Sequence, residues 1–175
     1  MIPGMTRGKF ALFAPAALAL LLAACGGGSS DDSAYSCPTP FTVQDVERLT
    51  HFKDGAGRDP RDIAYEAMIT GSGTKCTLKR NTLEVTLVVR IAVTAGPSVS
   101  PGRTSVPYFV RVVDGNNNIV EGQEFTAEFR LTPSNPRNTA QEELTLTLSR
   151  AVAYRIAVGL KPTADELNYN RRGRQ

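Results

Sequence analysis

Three features of the sequence predict a mainly β chain folded as an antiparallel β-sandwich. Apolar and polar residues alternate with a period of two from about residue 62 to residue 160. Clusters of Gly, Pro, Asn and Asp interrupt that alternation at short intervals, as turns between neighbouring strands do. Helical spacing is confined to two short segments, one before the strands and one after them.

Taken in order, Thr42 precedes Val43, Val46 and Leu49, whose spacing predicts a short N-terminal amphipathic helix with Thr42 as N-cap and Asp45 in its first turn. The following HFKDGAGRDP is predicted as loop, because Gly55, Gly57 and Pro60 punctuate it. His51 then becomes a surface residue or the cation favoured at a helix C-terminus. Ile63, Tyr65, Ala67 and Ile69 alternate as a strand, and GSGT (71–74) reads as a turn leading past Cys76 into the longest strand. There Leu83, Val85, Leu87, Val89, Ile91 and Val93 share one face, with Glu84, Thr86, Arg90 and Thr94 on the other.

Gly96, Pro97, Pro101 and Gly102 end that strand, and residues 106–113 form the next, with Tyr108, Val110 and Val112 on one face. Asp114-Gly115-Asn116-Asn117-Asn118 supplies residues that tolerate positive φ and predicts a tight turn. Phe125, Ala127, Phe129 and Leu131 continue the alternation opposite Glu124, Thr126, Glu128 and Arg130, up to the Pro/Asn-rich LTPSNPRNT. Leu144, Leu146 and Leu148 mark another strand, and Tyr154, Ile156, Val158 and Leu160 the last. Seven or eight short-spaced strands favour an immunoglobulin-like topology. The intersheet Cys-Trp-Cys signature is missing, since the chain has no Trp and Cys37 lies ahead of the strands. Thr163 with Glu166 forms a capping box, which predicts a short C-terminal helix through Leu167 and Tyr169.

The N-terminal segment has a different character. Arg7 and Lys9 precede an apolar run from Phe10 to Leu22, a basic region and hydrophobic region of export-signal type, too short to span a bilayer as a mature helix. Leu22-Ala23-Ala24-Cys25 closes the run and resembles the lipobox of bacterial lipoproteins, in which the cysteine thiol is acylated before cleavage. The expected division is therefore residues 1–24 as lipoprotein signal peptide, 25–36 as lipidated Cys25 with a flexible tether, and 37–175 as the β-sandwich domain. The GGGSSDDSAYS that follows Cys25 has the composition of a solvated leash, with a reach of about 20 Å.

Charge and cysteine usage narrow the functional classes. Of the formal charge of +3, Arg7 and Lys9 account for two, leaving a nearly neutral domain that gives no electrostatic reason to expect nucleic acid. Once Cys25 is assigned to lipid, Cys37 and Cys76 remain, and in an oxidising compartment they are expected to pair. His51 is the one histidine, so a usual zinc or copper cluster cannot be assembled, and no metal or other cofactor is expected. Ser72 lacks the strand–turn–helix setting of a nucleophile elbow. Glu84, Glu124 and Glu128 fall on outward strand positions, where solvated faces explain them better than a glycosidase carboxylate pair. No catalytic residue is assigned.

Cys37-Pro38, Cys76, the long strand ending in Ala95-Gly96-Pro97, and Val158-Gly159-Leu160 ahead of Asp165-Glu166-Leu167-Asn168-Tyr169-Asn170 together resemble a group of uncharacterised proteobacterial outer-membrane lipoproteins. The resemblance covers most of the chain after Cys25. It implies an envelope location and brings no catalytic residues. Asp directly after a lipidated Cys commonly marks inner-membrane retention in such lipoproteins, and Gly26 here favours the outer membrane. The expected function is a lipid-anchored, periplasm-facing, noncatalytic binding or structural module. Its expected partners are membrane lipid, through acylated Cys25, and an envelope protein or polymer. The alternatives are a cell-wall glycan enzyme working through carboxylates and a carrier of a small apolar ligand.

Overall fold

A computed structural model describes residues 36–55 and 57–173. The expected signal peptide, the expected lipidation site Cys25 and the expected tether as far as residue 35 lie outside the described residues. The described chain forms eight strands and one α-helix: β1 (Thr39–Thr42), β2 (Arg48–Phe52), β3 (Ile63–Leu78), β4 (Thr82–Ala95), β5 (Gly102–Asp114), β6 (Ile119–Leu131), β7 (Arg137–Ser149), β8 (Tyr154–Leu160) and α1 (Ala164–Arg172).

The strands make two four-stranded sheets, ordered β1-β8-β5-β6 and β2-β3-β4-β7. The antiparallel pairs β4·β7 and β5·β8 lie one in each sheet, and the chain crosses between sheets from β4 to β5 and again from β7 to β8. That interlock is the arrangement of the central B·E and C·F pairs of an immunoglobulin-like sandwich. The edges depart from it, because β1 lies parallel beside β8 and the β2–β3 hairpin widens the second sheet.

The alternation of the sequence maps directly onto the core. The six inward residues of β4, Leu83 to Val93, are all buried, against Tyr108, Val110 and Val112 of β5, Phe129 and Leu131 of β6, and Leu146 and Leu148 of β7. These large apolar side chains fill the space between the sheets. In β8 the alternation gives way to burial of both faces from Ile156 to Leu160. Val46 and the ring of Phe109 lie over its second face so closely that a Cβ at Gly159 would come within 2.7 Å of both.

The expected N-terminal helix is not formed. Residues 39–42 and 48–52 are strands, and between them Asp45 takes a left-handed φ of 70°. The reason lies in the backbone partners: the Val43 N–H donates to Val158, the Leu160 N–H to Val46 and the Ile69 N–H to Glu47, so this segment ties one sheet to the other. A helix of so few residues has little stability of its own to set against those bonds. The GSGT expectation is also corrected. It lies inside the 16-residue β3, and the hairpin tip falls at residues 79–81. The register of β3 against β4 slips between Ile69 and Gly71, so the glycines mark a bulge rather than a reversal.

The two ends of the sandwich differ. Tips 79–81, 114–118 and 150–153 lie at one end, joined by hydrogen bonds from Arg150 to the Arg80 carbonyl and from Arg155 to Asn117. The chain enters there, because Cys37 is disulfide-bonded to Cys76 with a Cα separation of 5.7 Å, and Cys76 is paired with Val85 near the start of β4. The expected Cys37–Cys76 pairing is thus present. Loops 53–62 and 96–101 and the start of α1 lie toward the opposite end, about 45 Å away along the 14 residues of β4.

Candidate functional site

The end opposite the chain entry carries an open cleft of about 620 Å³. Its walls come from β2 (Leu49, His51), the loop after it (Lys53, Asp54), the start of β3 (Ala64, Tyr65), the β4–β5 loop (Ser98 to Ser100), β5 (Arg103 to Ser105, Pro107) and the entry to α1 (Lys161, Thr163, Glu166). The loop is held at Gly96, where a Cβ would lie 2.2 Å from the Ile63 carbonyl oxygen, so only glycine lets β4 leave beside β3 at that spacing.

His51 and Glu166 form the chemical centre of the cleft. The capping box read from the sequence is present: the Thr163 backbone N–H and hydroxyl both donate to Glu166 Oε2, and the Glu166 N–H donates to the Thr163 hydroxyl. The free oxygen of the same carboxylate, Oε1, lies 2.8 Å from His51 Nδ1. Helix capping therefore aims Glu166 at a histidine 115 residues away in sequence. The Glu166 side chain is 7 % exposed and that of His51 37 %.

Burial pushes the Glu166 carboxyl up, but the His51 hydrogen bond, the two Thr163 donors and the attraction of His51 outweigh it and hold the pKa below the ordinary glutamate value. An ionised Glu166 only accepts, so Nδ1 of His51 carries the proton and Nε2 is left as the acceptor when the ring is neutral. No hydrogen bond of Nε2 to a hydroxyl occurs among the described residues. The ring is further fixed by stacking on Tyr65, with centroids 4.7 Å apart. Burial first, and the Glu166 charge second, push the Tyr65 phenol up to about 12. It stays protonated and donates to the Ser105 carbonyl at 3.1 Å, joining the two sheets beneath the cleft floor.

Around this pair the cleft rim is mixed in charge. Lys53 and Arg103 are exposed and form no ion pair among the described residues, while Lys161 is held by Glu124. A ligand carrying both a hydroxyl and an anionic group finds an oriented acceptor and two cations there.

His51 was expected on a loop or at a helix end; it lies on β2, because the N-terminal segment is strand. Of the outward glutamates, Glu124 receives Arg111 and Lys161 and Glu128 receives the Ser105 hydroxyl; Glu84 stands opposite Thr77 and Thr147 on the outer sheet face. They do not converge on one site. Ser72 contributes instead to a shallower depression of about 390 Å³ on that sheet face, where Gly71 and Gly73 leave Val88 uncovered between Lys75 and Arg90. Cys25 lies outside the described residues. The sequence offered the Thr163–Glu166 box and the lone histidine separately; only the pairing of β2 with β3 and the return of the chain into α1 bring them together.

Comparison of the chain with protein families, with curated proteins and with solved structures gives no match.

Proposed function

We propose that this chain is a lipid-anchored, periplasm-facing module of the cell envelope, held in the outer membrane through acylated Cys25, which binds an envelope protein or polymer without catalysing its conversion. The observation that carries the reading is the placement of the cleft. It lies at the end of the sandwich opposite the point where the chain from Cys25 enters, so a partner can reach it without competing with the membrane for space. The basic Arg7 and Lys9, the apolar run that follows them and the lipobox-like Leu22-Ala23-Ala24-Cys25 support the location. A core filled by Leu87, Val89, Ile91, Tyr108, Leu131 and Ile156 argues against a carrier of apolar ligands.

The test uses the full lipoprotein in envelope extract, captured with its neighbours by chemical crosslinking. A partner recovered with the wild type and lost from a Lys53→Glu/Arg103→Glu variant of unchanged melting temperature supports binding through the cleft. The same partner recovered equally with both overturns it. Hydrolysis of peptidoglycan or ester substrates that scales with protein concentration and is lost in His51→Ala overturns the noncatalytic reading.

A further inference from the structure

The most exposed large apolar side chains of the domain gather at the end where the chain enters. Ile119 is 64 % exposed, Val120 53 % and Val152 46 %, and Leu78 at the close of β3 is exposed beside them in the topology. They flank the three turn tips already placed together by the Arg150–Arg80 and Arg155–Asn117 hydrogen bonds. None of them is needed to close the core, which ends at Leu83, Val112 and Leu148. Toward the opposite end the exposed large apolar side chain among the described residues is Met68, 39 % exposed on the face of β3 opposite Ala92 and apart from any turn tip; that end carries the cleft.

We infer that this end of the sandwich rests on the phospholipid surface that holds the anchor, with Val152, Ile119 and Val120 in the headgroup layer and Lys79 and Arg80 against lipid phosphates. The inference rests on acylation of Cys25. Two observations select lipid as the occupant. The first is reach: ten residues lie between Cys25 and Ser36, and a Gly/Ser-rich stretch of that length reaches about 20 Å, less than half the length of the sandwich, while the described chain begins at this end. The apolar tips therefore spend their time within contact distance of the bilayer. The second is charge: Lys79 and Arg80 project from the 79–81 tip without ion pairs among the described residues. Of the acids beside the neighbouring tip, Asp114 is turned into its own loop, where its carboxylate accepts from the Asn116 and Asn118 N–H groups, and Glu121 accepts from the Gln123 side-chain amide. Apolar side chains with two cations on a neighbouring tip suit an interface of anionic headgroups over acyl chains.

The chain contains no Trp, so a single introduced one reports its own surroundings. Full-length lipoprotein carrying Val152→Trp, or Ser100→Trp at the cleft end, is reconstituted into vesicles of phosphatidylethanolamine and phosphatidylglycerol. Vesicle flotation is measured first. The expected result is blue-shifted emission and loss of most of the signal with brominated acyl chains for Val152→Trp, and neither for Ser100→Trp. Ile119→Trp repeats the measurement from a second tip, guarding against misfolding at residue 152, and far-UV circular dichroism checks each variant. Protein that floats with vesicles but shows equal emission and quenching at both ends overturns this inference alone. Protein that does not float overturns the anchor, and this inference with it.

Discussion

The two ends of this sandwich are built from the same strands and do opposite things with them. At the entry end the turns are tight: residues 79–81 and 114–118 reverse the chain within a few positions, and Asn117 adopts a φ of 67° to do so. Strands continue to the rim, and the apolar residues at their limits run past the last layer of the core into solvent. At the cleft end the 53–62 connection is long although the 132–136 turn is short, loops and α1 lie over the sheets, and hydroxyls, charges and one histidine meet between apolar walls. Alternation in a strand specifies which face is buried. It does not specify what lies beyond the end of the strand, and that is where both the cleft and the apolar tips arise.

The strongest way to break the comparison is to remove the anchor. Cys25→Ser is expected to abolish acylation and processing at that site and to shift the protein out of the membrane fraction almost completely, because acyl chains supply roughly 0.8 kcal/mol per buried methylene. Palmitate labelling and fractionation measure it. Processed, membrane-bound Cys25→Ser protein would leave the entry end without its meaning.

Next in size is the disulfide that fixes the point of entry. The Cys37–Cys76 bond spans 39 residues, and on the chain-entropy model its loss costs about 4 kcal/mol. Cys76→Ala is expected to lower the melting temperature by roughly 10 °C while the β circular-dichroism signature remains. The signature should survive because the core strands β4, β5, β7 and β8 pair independently of residues 37–42. An unchanged melting temperature would mean that the entry segment is not held there in solution.

Legibility in the sequence followed the same division. Strands β4 to β7 were readable because each buries one face, and a period of two has one physical cause; β8 buries both faces, and its alternating Tyr154, Ile156, Val158 and Leu160 marked it all the same. The turn 114–118, the Thr163–Glu166 box and the disulfide were readable because their chemistry is local or leaves few alternatives. The segment 43–49 was misread because Val43, Val46 and Leu49 are three apart for a reason that is not helical. Val46 covers β8, Leu49 enters the main core, and the turn at Asp45 sends them to different places. GSGT was misread because glycine marks a bulge as readily as a turn, and only the partner strand distinguishes them. The His51–Glu166 contact joins residues from opposite ends of the domain sequence and left no local signal.

A smaller effect probes the cleft end. Glu166→Gln keeps the shape of the side chain but removes the charge that His51 and two Thr163 donors serve, and is expected to cost about 1–2 kcal/mol at neutral pH. The sign with pH follows from the lowered Glu166 pKa. A depressed folded pKa gives stability that is fully present above the unfolded value and is lost as pH falls through the folded one. The gap between wild type and Glu166→Gln should therefore close on acidification below the ordinary carboxylate range. Denaturant melts at several pH values measure it, and a gap independent of pH would remove the ionised carboxylate from the account.

The smallest expected effect is the one most diagnostic of the comparison. If the apolar tips contribute nothing to the core, replacing them with charge should barely alter folding, even though buried apolar positions of the same strands are costly to change. Val152→Glu and Ile119→Glu are expected to shift the unfolding free energy by no more than about 0.5 kcal/mol, as exposed substitutions usually do. Leu148→Ala, four residues before Val152 and inside the core, should cost about 2–5 kcal/mol. Urea melts of the three variants decide the matter. A loss above about 1 kcal/mol in either tip variant would place those side chains in the fold's own packing and leave the membrane no claim on them. Neutral tips beside a costly Leu148 would leave those apolar side chains free to serve a contact outside the domain.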